Sequence, residues 1–175
     1  MTPKIALITG ASSGIGKATA ELFSKNGYYV FAIARRTDRL KVFNSPNIET
    51  ITLDVTDEDG IDNLIQHIIA TKHRIDVLIN NAGFGQLGTV EHVSMQSAHY
   101  QFEVNVFAYA KFMQAVLPHM RKEQSGYIIN ISSVLGKFAV PGFGWYAASK
   151  HAVEALSEAV RGEVISFGIK VIMIA

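Results

Sequence analysis

The sequence contains no cysteine, which excludes disulfide staples, thiolate nucleophiles and cysteine-ligated metal centres, and fits a reducing compartment. Charge of one sign is also lacking. A formal net charge of +1 gives no electrostatic reason to expect nucleic acid or an acidic partner. No uninterrupted apolar run approaches the ~20 residues of a membrane span. Met1-Thr2-Pro3-Lys4 leads straight into a short apolar stretch without the layout of a signal peptide. A cytoplasmic location is the expectation. No internal repeat, low-complexity tract or Pro/Gly-rich linker divides the chain, so its 175 residues, 49% of them apolar, are expected to form a single domain (1–175) around one substantial core. The six histidines (His67, His73, His92, His99, His119 and His151) show no metal-type spacing.

Six short runs rich in β-branched residues recur, at 5–8, 28–34, 48–53, 75–80, 127–132 and 169–175. They are almost continuously apolar, the pattern of strands covered on both faces. Helical patterns lie between them at 14–26, 57–71, 97–121 and 145–167, with a short link at 37–43. Such alternation predicts right-handed crossovers and an α/β fold with a doubly wound parallel sheet, Rossmann-like, of six strands. Thr56 is placed to cap the helix at 57, with Asp57, Glu58 and Asp59 in its first turn, where the helix dipole favours acids. As a calcium loop that acidic cluster fails, because the ligand alternation before Gly60 is wrong.

The first strand runs into Thr9-Gly10-Ala11-Ser12-Ser13-Gly14-Ile15-Gly16. Gly10 stands where the chain must turn sharply, and Gly14 and Gly16 let backbone pass close to a ligand. A helix opening near Gly14 would aim free N–H groups and partial positive charge at that point, as a pyrophosphate requires. A tight glycine turn with no ligand is the competing reading, and Gly-x-x-x-Gly-x-Gly departs from the common Gly-x-Gly-x-x-Gly fingerprint. The second strand ends Ala34-Arg35-Arg36, with no carboxylate before Asp38 to bind ribose hydroxyls. Arg35 is placed to offer a guanidinium fork to a 2′-phosphate, with Ser12 or Ser13 adding a hydroxyl, so NADP(H) is favoured over NAD(H). Arg35 and Arg36 as plain solvated charges are the alternative.

Tyr146 and Lys150 stand four residues apart in Tyr-Ala-Ala-Ser-Lys, on one helix face and about 6 Å apart along the axis. An ammonium beside a phenol favours the phenolate and so equips tyrosine for proton transfer. Ser133, thirteen residues upstream of Tyr146, can orient a substrate carbonyl at the same oxygen. Its rival Ser132 would point to the opposite face of a strand.

These elements, with Asn80-Asn81-Ala82-Gly83 and Asn105, resemble in order and spacing the short-chain dehydrogenase/reductase family, from residue 4 to the last. The stretches Phe102–Asn105, Ile129–Ser133 and Tyr146–Ala152 look most like its 17β-hydroxysteroid-dehydrogenase-like subgroup. The resemblance implies Tyr146 as acid/base, Lys150 lowering its pKa and holding the ribose, Ser133 polarising the carbonyl, and Asn105 anchoring a water in a proton relay to Lys150. It further implies cofactor contacts from Gly10, Ser12, Ser13, Gly14, Ile15, Gly16, Asp54, Val55, Asn81, Ala82 and Gly83, with Asp54 at the adenine edge and 81–83 along the ribose. Family members dimerise through helices corresponding to 97–121 and 145–167, and both helices here are apolar on more than one side.

The expected activity is NADP(H)-dependent interconversion of a carbonyl and a secondary alcohol on a small apolar molecule. A nucleotide-binding or regulatory domain without turnover is the alternative. Phe84, Leu87, Val134, Leu135, Phe138, Val140, Phe143 and Trp145 flank the expected carbonyl site and either wall an apolar substrate or pack the core. The family continues beyond the strand at 169–175 with Pro-Gly, a substrate-covering lobe and a further strand. The chain is therefore expected to be C-terminally incomplete, with weak or no turnover as it stands.

Overall fold

The computed structural model describes residues 2–175. Strands β1 (Ile5–Thr9), β2 (Tyr29–Ala34), β3 (Ile48–Thr52), β4 (Val77–Asn80), β5 (Gly126–Ile131) and β6 (Ile169–Ile174) form one sheet in the order β3-β2-β1-β4-β5-β6. Every pairing is parallel. The helices are α1 (Gly14–Lys25), α2 (Thr37–Leu40), α3 (Glu58–Lys72), α4 (Met95–Phe102), α5 (Ala108–Lys122) and α6 (Gly144–Val164). None is long and apolar enough to cross a membrane.

Alternation along the strands sorts the two faces. Ile5 and Leu7 of β1 and Phe31 and Ile33 of β2 join a core with Ile61, Ile65 and Ile68 of α3 and Phe112, Val116 and Met120 of α5. Ala6 and Ile8, Val30 and Ala32 face the other way, against Ala20 and Phe23 of α1. Alanines on that face let α1 lie close to the sheet. β1 is buried at all five positions, which accounts for its unbroken apolar run.

The expected helix at 97–121 is interrupted. A π-helical turn, Glu103–Phe107, separates α4 from α5. Such a turn adds a residue to the local winding and often accompanies a functional site; here it holds Asn105. The cap of α3 is also one residue later than expected. Asp57, not Thr56, accepts from the Gly60 amide, at 2.9 Å, while the Thr56 hydroxyl turns back to Asp54. Both residue types cap well, and Thr56 is already engaged by Asp54.

A buried polar chain fixes α6 to the sheet. Asn80 on β4 donates to Asn130 Oδ1 on β5 at 2.9 Å, and Asn130 donates to Ser157 Oγ on α6 at 2.8 Å. All three residues are fully buried.

Candidate active site

The strand order reverses its winding between β1 and β4, and the loops leaving these two strands part there, opening a crevice at their C-terminal ends. Thr9 ties the two loops together: its hydroxyl accepts from the amides of Asn81 and Ala82 at 2.9 and 3.0 Å. Asn81 returns the contact, its side chain donating to the carbonyls of Thr9 and Gly10 at 3.0 and 3.3 Å. Thr9 has no role in the sequence reading. The bond spans 72 residues and leaves no local signal.

Gly10 has φ +67, and a Cβ there would lie 2.8 Å from Ala82 Cα, so conformation and space both demand glycine. Gly14 has φ +55 and open surroundings, where only the conformation matters. Gly16 also has a packing reason to be glycine. Its bare Cα lets α1 press on the Gly10 carbonyl and the Asn81 side chain, so it serves packing of the turn.

A cleft of roughly 460 Å³ lies over this crevice. Gly10, Ser12, Ser13, Ile15, Arg35, Val55, Asn81, Ala82 and Gly83 line it, all expected from sequence; Ala34, Arg36, Leu53, Phe84 and Val104 line it as well. Ser13 begins α1 without spending its hydroxyl on the helix. The guanidinium that reaches Ser12 is that of Arg36, at 3.3 Å. Arg35 instead turns to Asp54, 3.6 Å away, and to the Tyr100 hydroxyl. Both arginines line the cleft, and they differ in the partners each already holds. The Asp54 carboxylate faces Arg35 and Thr56, and the adjoining Leu53 and Val55 supply the cleft wall.

At the other end of the crevice α6 presents Tyr146 and Lys150. The half-buried Tyr146 ring lies against Gly85, 3.5 Å from where a Cβ would stand. Lys150 is only 4% exposed. Its Nζ donates to the Ile131 carbonyl at 2.7 Å and lies 5.9 Å from the Tyr146 ring centre and 5.4 Å from that of Tyr109. Burial lowers its pKa to about 8, and the Glu154 carboxylate pulls the other way. Tyr109, buried at the start of α5, donates to the same carbonyl and was not singled out by sequence; it reads there as one more apolar helix position.

Asn105 spends both amide hydrogens and one lone pair of Oδ1. Its Oδ1 accepts from the Phe84 amide at 3.0 Å, and its amide donates to the Phe84 carbonyl at 2.9 Å and to Ser149 Oγ at 3.1 Å. It thereby clamps the loop after β4 beside Lys150. Ser133 opens a 3-10 turn (Val134–Gly136), its hydroxyl accepting from the Leu135 amide at 3.2 Å. Ser132 is buried, its hydroxyl beside Gly136 and the Glu154 side chain. The flanking apolar residues divide: Leu87, Val134 and Phe138 are exposed, whereas Phe84 packs on the core and Trp145 meets Phe102 edge-on.

Residues 4–175 match the family described as short chain dehydrogenase. The chain is 42% identical to a 3-ketodihydrosphingosine reductase of Bacteroides thetaiotaomicron, over 99% of its length and 63% of the relative's. It is 38% identical to an NADPH-dependent 3-dehydrocapnine reductase of Ornithobacterium rhinotracheale, over 98% of its length and 64% of that protein's. It thus spans just under two thirds of both. Among solved structures, ElxO with NADP bound superposes with a TM-score of 0.95 at 34% identity, covering 99% of this chain and 73% of that one.

Proposed function

The chain belongs to the short-chain dehydrogenase family, and we propose that it forms the catalytic core of an NADP(H)-dependent reductase interconverting a ketone and a secondary alcohol on a long-chain aliphatic substrate. The observation that carries this reading is the buried Lys150 ammonium beside Tyr146 at one end of the crevice, with the glycine turn and two arginines at the other. Ser12, Ser13, the free N–H groups opening α1, Arg35 and Arg36 fit a phosphorylated nucleotide, and Ala82 and Gly83 fit its ribose. The bound nicotinamide supplies or accepts the hydride.

Tyr146 donates or accepts the proton at the substrate oxygen. Lys150 holds a positive charge beside it, and Ser133 orients the carbonyl. Asn105 keeps Gly83 and Phe84 in place; any water relay through it has its backbone carbonyl and the second lone pair of Oδ1 to use, because both amide hydrogens are spent. The preference for NADP(H) rests on Arg35 and Arg36 and on the lack of a carboxylate at the end of β2. The names of the two reductases, 3-keto and 3-dehydro, favour a C3 ketone. Exposed Phe107 on the π-helical turn and exposed Ala148, Ala155 and Ala159 on α6 fit a twofold dimer through these helices. A nucleotide-binding domain without turnover is disfavoured by the presence of every expected catalytic side chain.

The test is NADPH oxidation with 3-ketodihydrosphingosine against a steroid ketone, in a version extended to the full length of the relatives and in its Tyr146→Phe variant. Reduction of the aliphatic ketone is expected, abolished in Tyr146→Phe while NADPH still binds. Retention of more than a few per cent of the rate by Tyr146→Phe would remove it as the acid/base.

A further inference from the structure

One buried ionisable side chain takes no part in the chemistry described above. Glu154 lies one helical turn beyond Lys150 on α6 and is 9% exposed. Its Oε2 accepts from Lys137 Nζ at 2.8 Å, and Lys137 ends the turn that Ser133 opens. The buried Ser132 hydroxyl and the carboxylate's other oxygen, Oε1, both lie at Gly136, and among the described residues neither takes a hydrogen bond. Gly136 is wedged between them: a Cβ there would lie 2.8 Å from Ser132 Oγ and 3.1 Å from Glu154 Cγ. The whole turn is thereby seated on α6.

An exposed ion pair would carry no argument, since such pairs contribute little. Here the carboxylate partner is buried, and a buried carboxylate costs free energy unless its oxygens are paired. This one touches the segment that carries Ser133 and stands beside the charge of Lys150.

Resting on the reductase reading, we propose that Glu154 is a positioning residue whose carboxylate fixes the Ser133 turn onto α6 and offsets the burial of the Lys150 ammonium. It meets neither substrate nor cofactor and acts through its neighbours. Lys150 is faced by Tyr146 and Glu154 from its own helix and by Tyr109 from α5; β5 offers it the Ile131 carbonyl, and the loop after β4 offers Gly83. Of these groups Glu154 alone carries negative charge near neutral pH, and it raises the Lys150 pKa against the lowering by burial. Burial would push the Glu154 carboxyl up, but Lys137, Ser132 and His151 outweigh it and hold the group below the ordinary carboxylate range.

The test needs no turnover. Glu154→Gln keeps the shape and removes the charge; Lys137→Met breaks the ion pair from its exposed side. Lys150 Nζ is followed by NMR titration, and hydrogen exchange is followed at the amides of 135, 136 and 137. Glu154→Gln is expected to lower the Lys150 midpoint by about one unit and to speed exchange in the turn about tenfold. Lys137→Met should speed exchange similarly without lowering the Lys150 midpoint. An unmoved midpoint in Glu154→Gln, or unchanged exchange in Lys137→Met, overturns the proposal. Should Glu154→Gln fail to fold, Lys137→Met still decides whether the turn is held this way. Both readouts are independent of activity, so their failure is distinct from an unmutated protein that oxidises no NADPH.

Discussion

Lys150 and Tyr109 share a single acceptor: the ammonium donates to the Ile131 carbonyl at 2.7 Å and the phenol donates to it at 3.3 Å. The Tyr109 ring also lies under the cation, its centre 5.4 Å from Nζ. Burial pushes the Tyr109 pKa well up, so Tyr109 remains a neutral donor over the range in which Lys150 titrates.

That arrangement gives Lys150 a pH-dependent cost. Its folded pKa, about 8, lies below the ordinary 10.5. Under pH 8 both states carry the proton and the full penalty applies; between pH 8 and 10.5 the unfolded chain holds a proton that the folded one has released, so stability rises with pH. Lys150→Met should therefore be more stable than the unmutated protein at pH 7, by up to about 3 kcal/mol. The gap should close as pH approaches 10.5. Urea unfolding of both proteins across this range checks it, with Tyr109 left to satisfy Ile131 in the variant. A gap that is constant with pH would contradict the assignment.

Arg36, rather than Arg35, should dominate phosphate recognition, because Arg35 is already engaged by Asp54 and Tyr100. Loss of a charge-assisted contact of about 1.5–3 kcal/mol predicts weaker NADPH binding by roughly tenfold or more in Arg36→Ala, with NADH binding little changed. Arg35→Ala should do less. Calorimetric titration with both nucleotides separates the two residues, and equal losses for both nucleotides would count against a 2′-phosphate contact.

Asn130→Leu should destabilise the fold by about 3 kcal/mol, since it strips a partner each from the fully buried Asn80 and Ser157. The Leu side chain fits the volume but pairs with neither group. Chemical denaturation measures the loss. Ser157→Ala, which removes one partner of Asn130 and leaves its bond to Asn80, should cost less.

The legibility of this chain follows the range of its interactions. Strands buried on both faces announce themselves as unbroken apolar runs, and Tyr146 and Lys150 share a helix face by simple periodicity. The glycine turn was readable as a turn, but the packing role of Gly16 depends on Gly10 and Asn81 coming together across the crevice. The π-helical turn was invisible because its reason lies elsewhere: Asn105 reaches back 21 residues to hold both backbone groups of Phe84. Arg35 and Arg36 were separable only by their partners, Asp54 and Tyr100 for the one and Ser12 for the other, all distant in the chain. Thr9 and Tyr109 showed nothing locally, since each acts through a backbone group distant in the chain.

The pairing of β1 with β4, Ala6 opposite Val77, joins segments 71 residues apart. Closing so long a loop brings an entropic barrier that strands joined by short crossovers avoid. The crevice exists only once that pairing is made, because its two walls are the loops that leave β1 and β4. A nucleotide lying across the seam touches both halves and binds the joined state alone. On the proposed function it therefore fastens the two halves together, raising the free energy of unfolding by mass action in proportion to the logarithm of its concentration.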